Sequence, residues 1–211
     1  MARNKHPEQT VQRILDTASK LFLQKGYDKT TLQDIIAATK LSKGAIYHHF
    51  ASKEAILIAV ADRIGNHNTA VLAEIRDRKG LTGAEKVREM FRTAVHLSFQ
   101  SGIVHMLPFL IENPRFIALQ MQSILNEAAP HYALPILREG IADGSIRADY
   151  PEQLAEALLL LSDLWLHPIL RPSTPDQVRA RCAFFNQFTK QYGFELLDED
   201  LIDAMVKFCR S

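Results

Sequence analysis

Between Thr30 and Lys53 the sequence TTLQDIIAATKLSKGAIYHHFASK sets two helix signatures side by side with only a short turn between them. Leu32, Ile35, Ile36 and Ala37 recur at helical spacing, and Asp34 stands three residues beyond Thr31, as a capping box requires. The pattern predicts a short helix over 31–39. Leu41 then plugs the turn, Ser42 is a strong N-cap candidate, and a second helix is expected from Lys43 to about Phe50. Ile46 and Phe50, four residues apart, fall on one buried face of it.

The other face carries the chemistry. A helix this short cannot bury Lys43, Gly44, Ala45, Tyr47 and His48 together, so they are offered to solvent or to a partner. Glycine inside a helix costs about 1 kcal/mol relative to alanine, and Gly44 therefore points to close approach by something outside the chain. About eight helical residues span about 12 Å, which matches the major groove of B-DNA at about 12 Å. Lys43 can reach a base acceptor or a phosphate, Tyr47 and His48 can reach phosphates, and Lys53 sits where the next helix begins.

Gly26-Tyr27, Thr30-Thr31, Ile36-Ala37, the run from Leu41 to Phe50, and Ser52-Lys53-Glu54 agree in order and spacing with a known signature. In these residues, about the first quarter of the chain, the sequence resembles the tetracycline-repressor (TetR) family of transcriptional regulators. The resemblance implies phosphate contacts from Thr31, Tyr47, His48 or His49, and Lys53, with base readout near Lys43, Gly44 and Ala45. Ser42, at the head of the reading helix, joins them as a candidate contact. Many members of the family carry threonine where this chain has Ala45. Alanine can touch a thymine methyl but cannot hydrogen-bond a base, so the operator preference stays open.

Charge is segregated in the way a nucleic-acid-binding head requires. The whole chain of 211 residues has a formal net charge of only +1, but residues 1–65 hold ten Lys or Arg and six Asp or Glu, net +4, against −3 for the remainder. A hydrophobic content of 47% is ample for a packed core. Two cysteines, Cys182 and Cys209, give neither a disulfide framework nor a cysteine zinc site. The opening MARNKHPEQT has no apolar run behind it, and no stretch reaches the roughly 18 apolar residues of a membrane span. A cytoplasmic protein without membrane association is expected, its first six residues forming either a basic arm that carries Arg3 and Lys5 or a terminus without a role.

Elsewhere the periodicity is helical throughout, with no strand pattern and no repeat. Val11, Ile14, Leu15, Ala18, Leu21 and Phe22 form an apolar stripe from Pro7 to Gly26, expected to pack on Ile35, Ile36, Ile46 and Phe50 as a three-helix head. From Ser52 a long helix runs toward Arg78, a rigid lever between head and body. Thr82 with Glu85, Asn113 with Pro114, Thr174 with Gln177, and Asp198 open later helices. Pro130 and Pro135 are expected to interrupt the helix begun at Asn113.

The run AEALLLLSDLWLHPIL within 151–170 is apolar nearly all round and must be covered on two sides. With the helix from Pro175 to Tyr192 it is the candidate homodimer seam, centred on Leu158, Leu161, Trp165, Phe184, Phe185 and Phe188. Two copies make a four-helix bundle, the dimerisation mode the resemblance also implies. Such a dimer reads half-sites about 34 to 36 Å apart or a multiple of that. Phe91, Val95, Phe99, Met106, Phe109, Met121, Leu125 and Trp165 are candidates to line a pocket for a small apolar effector. Aromatic residues and methionine at helical spacing suit a plain core as well, and it is the resemblance that favours the pocket.

No metal or cofactor is expected, since His48 and His49 diverge and the other histidines follow no ligand spacing. Nucleophile elbow, P-loop, dinucleotide fingerprint and H-E-x-x-H are all absent, so no enzyme is expected. The expectation is an all-α chain with a DNA-binding head over residues 1–52 and an effector-binding, dimerising body over 53–211. It would act as a homodimeric repressor released from a palindromic double-stranded operator by a small apolar effector. The alternative is a constitutive DNA-binding module whose body docks a protein partner.

Overall fold

The computed structural model describes residues 7–100, 102–168, 173–207 and 209; Arg3, Lys5 and Leu170 lie outside them. Helix α1 (Pro7–Lys25) stops at Gly26, whose φ of +80° suits glycine. Helices α2 (Leu32–Thr39), α3 (Lys43–His49) and the 25-residue α4 (Lys53–Asp77) follow. The chain continues through α5 (Gly83–Gln100), a 3-10 turn at Ile103–His105, α6 (Leu107–Leu110) and α7 (Pro114–Ser123). Helices α8 (Leu134–Asp143), α9 (Pro151–Leu160), α10 (Pro175–Lys190) and α11 (Glu199–Val206) complete it. No strand occurs among the described residues, and no helix there is long and apolar enough to cross a membrane.

The helix starts follow their local chemistry. Ser52 accepts from the N–H of Ala55, Asn113 from that of Arg115, and Asp198 from that of Leu201. Thr82 and Glu85 cap each other reciprocally, as do Thr174 and Gln177.

Two apolar cores result. The first gathers Ile14, Leu15, Ala18 and Phe22 of α1 with Ile35 and Ile46, as the stripe predicts. It does not stop at three helices. Ile56, Leu57, Val60 and Ala61 of α4 are buried in it, and so are Met106, Leu110 and Phe116 from the α6–α7 region. The second core holds Ile75 at the far end of α4 with residues of α5, α8, α9, α10 and α11. Helix α4 is thus clamped in both cores and joins them.

The expected break at Pro130 and Pro135 does not occur. The chain runs helically from α7 to α8 through a π-helical stretch at Ile124–Ala133. Proline breaks an α-helix because it lacks an N–H and its ring meets the carbonyl four residues back; a wider turn relieves the second problem. Pro135 leaves the carbonyl of His131 without its α-helical donor, and Arg76 supplies one, its Nη1 donating to that oxygen at 2.9 Å. The Arg76 guanidinium also lies 5.5 Å from the Tyr132 ring centroid. The helix expected over 151–170 likewise changes register, from α9 into a π turn at Leu161–Trp165.

Beside this junction α5 and α8 approach closely. A Cβ on Gly83 would lie 2.2 Å from the backbone nitrogen of Gly140 and 2.7 Å from the carbonyl of Ile136. Lys86, buried at 3% exposure, is satisfied by Glu139 and the carbonyl of Arg76. Gly83→Ala is expected to push two helix backbones apart and cost about 3 kcal/mol or more, lowering the melting temperature by about 6 °C or more. Gly65→Ala in α4, where a Cβ meets nothing within 4 Å, is expected to raise it. Thermal melts of the two variants beside the parent check the contrast.

Candidate nucleic-acid interface

The site is built from the ends of two short helices. Thr31 caps α2 with extended backbone, φ −97° and ψ 158°. Its Oγ accepts from the Asp34 N–H at 3.1 Å, and Asp34 Oδ2 accepts from the Thr31 N–H at 2.8 Å. The Thr31 hydroxyl proton is also committed, donating to Asp34 at 2.8 Å. These bonds from Thr31, with Lys25 at 3.3 Å, hold the Asp34 carboxyl down to about 2. Beneath them Thr30 is buried and donates to the carbonyl of Gly26 at 2.8 Å, and Thr39 is buried and donates to that of Ile35 at 2.7 Å.

The turn is closed by Lys40, whose N–H donates to the Ala37 carbonyl at 3.3 Å, and Leu41 packs against the head core. Ser42 caps α3 by accepting from the Ala45 N–H at 3.1 Å and keeps its own proton free to donate. Along α3 only Ile46 is fully buried. Lys43, Gly44, Tyr47 and His48 are exposed, at i, i+1, i+4 and i+5, so they share one outward face. Ala45 and His49 flank it, half-buried. Lys43 Nζ lies 5.6 Å from the Tyr47 ring centroid, and the His48 and His49 rings meet edge to face at 5.0 Å. A Cβ on Gly44 would meet nothing within 4 Å. No contact among the described residues asks for glycine there.

Lys53 is placed differently from its expected role. Its ammonium donates to the carbonyl of Tyr27 at 2.8 Å and sits 4.0 Å from that ring's centroid. It ties the start of α4 to the α1–α2 loop instead of facing outward with α3. The Tyr27 hydroxyl is pushed up by burial and by the neighbouring Glu54 and Asp28 carboxylates.

Residues 14–60 match the family of bacterial regulatory proteins named tetR. The chain is 30% identical over 151 residues to the HTH-type transcriptional repressor KstR2 of Rhodococcus jostii (strain RHA1), covering 67% of this chain and 70% of that protein. The chain belongs to the tetR family. A transcriptional regulator from Cytophaga hutchinsonii ATCC 33406 shares the fold with a TM-score of 0.65 at 18% identity, over 95% of this chain and 92% of that one. A gamma-butyrolactone receptor does so with a TM-score of 0.51 at 20% identity, over 96% and 95%. The protein is a DNA-binding transcriptional regulator of all-α fold, from a family of regulators rather than enzymes.

The residues expected to line one effector pocket do not come together in this TetR-family chain. Phe91 is buried in the body core, with Val95 and Trp165 packed against it. Met106 is buried in the head core and Phe109 packs on it. Met121 and Leu125 are exposed, and the side chain of Phe99 lies outside the described residues. Helical spacing shows which side chains turn inward but not which of two cores they join. A cleft of about 270 Å³ lies at the junction of head and body, lined by Tyr27, Glu54, Leu57, Phe109, Glu112 and Asn113 among others. No local signal joins residues so far apart in sequence.

The proposed seam needs a similar correction. Leu158 and Phe185 are sealed in the body's own core at 1% and 0% exposure, so neither can meet a second copy without opening it. Leu161, Trp165 and Phe188 are half-buried, Phe184 is 56% exposed, and the Phe184 and Trp165 rings meet edge to face at 5.6 Å. Burial also holds His167 neutral, lowering its pKa to about 4. Among the described residues no His, Cys, Asp or Glu groups cluster as metal ligands.

The capping box has a pH signature. Asp34 titrates at about 2 in the fold against 3.8 ordinarily, so its contribution is fully present above about pH 4 and is lost as pH falls through about 2. The stability difference between the protein and its Asp34→Asn variant is therefore expected to shrink between pH 4 and 2. Melting curves across that window check it, and a difference that stays constant would contradict the assignment.

Proposed function

We propose that this protein is a homodimeric repressor whose two α3 helices read a palindromic operator and whose body answers to a small apolar effector. Residues 1–52 form the reading unit, and residues 53–211 carry dimerisation and effector binding. One observation carries the reading. Lys43, Gly44, Tyr47 and His48 form an outward face on a helix pinned from behind by Ile46, and a Cβ on Gly44 would meet nothing within 4 Å among the described residues. A bare backbone at that point lets the helix approach base edges closely. Ser42 and His49 border the face and Ala45 is set for contact with a thymine methyl. Thr31 reaches a phosphate only by exchanging its bond to Asp34.

Repression is supported by the likeness to KstR2, a transcriptional repressor. Dimerisation is supported by the apolar groups of the π turn and α10 that stay half-buried, Leu161, Trp165 and Phe188, beside the exposed Phe184. An effector-responsive body is supported by the likeness in fold to a gamma-butyrolactone receptor. Of the candidate lining residues, Phe91, Val95 and Trp165 belong to one body core and are the ones retained. An effector there shifts the head only if it binds one orientation of α4 better than the other. Helix α4 has the reach for this, since its ends lie in the two cores and Arg76 fastens the far end to the π stretch. The site of action is the cytoplasm.

Selection of duplexes from a random pool at fixed salt is expected to return a palindrome, and sedimentation at micromolar concentration a dimer. Gly44→Ala is expected to raise the melting temperature by about 2 to 4 °C while weakening operator binding about tenfold or more. A monomer, or a Gly44→Ala variant that binds as the parent does, would overturn the reading. Apolar compounds are expected to raise the melting temperature and release the duplex.

A further inference from the structure

The cations of the head divide by what they touch. Lys25 pairs with Asp34 at 3.3 Å, Arg63 with Asp16 at 2.6 Å, and Lys53 with the Tyr27 carbonyl at 2.8 Å. Their charges are spent on the head's own structure. Lys29, Lys40 and Lys43, which border α2 and α3, are exposed and make no side-chain hydrogen bond or ion pair among the described residues. Lys43 has already been placed on the reading face.

Lys40 differs from the other two in its backbone. With φ 54° and ψ 27° it is the one non-glycine residue in the left-handed region among the described residues, where Gly26, Gly80, Gly102, Gly144 and Gly193 hold the other positive φ values. An L side chain in that conformation crowds the following carbonyl oxygen, which is why a helix end of this kind ordinarily carries glycine. Among the described residues the Lys40 ammonium has no hydrogen-bond or ion-pair partner to repay the crowding. The position also matters: Leu41 packs inward beside it, and Ser42 caps α3 two residues later. A free ammonium is therefore kept at the end of α3 where Lys43 and Gly44 are exposed, at a residue whose backbone would favour glycine.

We propose that Lys40 is a DNA phosphate contact, supplying from the turn the anchoring charge that Lys53 spends on Tyr27. A lysine suits this work, since a flexible stem carries a point charge to a phosphate without demanding fixed geometry. The inference rests on the reading of α3 as the DNA-reading helix.

The test uses the full chain, its selected operator and an unrelated duplex, with binding measured between 50 and 200 mM salt. Lys40→Gly keeps the turn and removes the charge; Lys40→Arg keeps the charge. The glycine variant is expected to melt about 2 to 4 °C higher. It is expected to bind both duplexes about eightfold more weakly per bound copy at 0.1 M salt, with a salt slope shallower by about 0.9 per copy. The arginine variant is expected to keep the parent slope. A glycine variant with parent affinity and slope would overturn the proposal. So would a loss on the operator alone with the slope unchanged, since Lys40 would then act through the placement of α3. If the parent itself binds no duplex, the reading of α3 falls first and this proposal falls with it.

Discussion

Helix α3 has seven residues, too few to be stable alone, and its one fully buried side chain is Ile46. Taking that isoleucine from water contributes on the order of 2 to 3 kcal/mol, and it decides which side of α3 faces out. With Ile46 turned inward, Lys43, Gly44, Tyr47 and His48 have no choice of face. Ser42 fixes where the helix begins, and Leu41 and Phe50 pack on the same core at its two ends. The reading surface is thus the solvent side of a helix placed entirely by its apolar side.

The core that holds Ile46 reaches beyond the first three helices. Met106, Leu110 and Phe116 are buried with Ile14, Phe22 and Val60, so the head cannot tilt without dragging the α6–α7 region with it. From α7 the chain runs helically to α8, and Arg76 at the end of α4 grips that run at His131. Lys53 and Tyr27 tie the opposite end of α4 to the α1–α2 loop. A change of packing in the body therefore has two rigid routes to the head, one along α4 and one through α6 and α7. That linkage is the mechanical basis of the proposed response to an effector.

What was legible in the sequence was local. The capping boxes at Thr31 and Thr174, the stop at Gly26, the stripe of α1 and the outward face of α3 each depend on residues within a few positions of one another. Those relations hold whatever the rest of the chain does. The misreadings share the opposite property. Periodicity turns Met106 and Phe91 inward alike, but which core each joins depends on how α4 spans them. Pro130 and Pro135 read as breaks because the donor that rescues the His131 carbonyl comes from Arg76, 55 residues away. Leu158 and Phe185 read as seam because an all-round apolar helix does not say which side meets its own fold. Nor can the tie from Lys53 to the Tyr27 carbonyl, 26 residues away, be seen locally.

Lysine acetylation footprinting of the full chain, free and bound to its selected operator, bears most directly on which surface meets DNA. Lys43, exposed on α3, is expected to react readily in the free protein and to be protected in the complex. Lys53, engaged with Tyr27, is expected to react slowly in both. Equal reactivity of Lys43 with and without the operator would show that DNA is read by some other surface, and would contradict the placement of α3 in the groove.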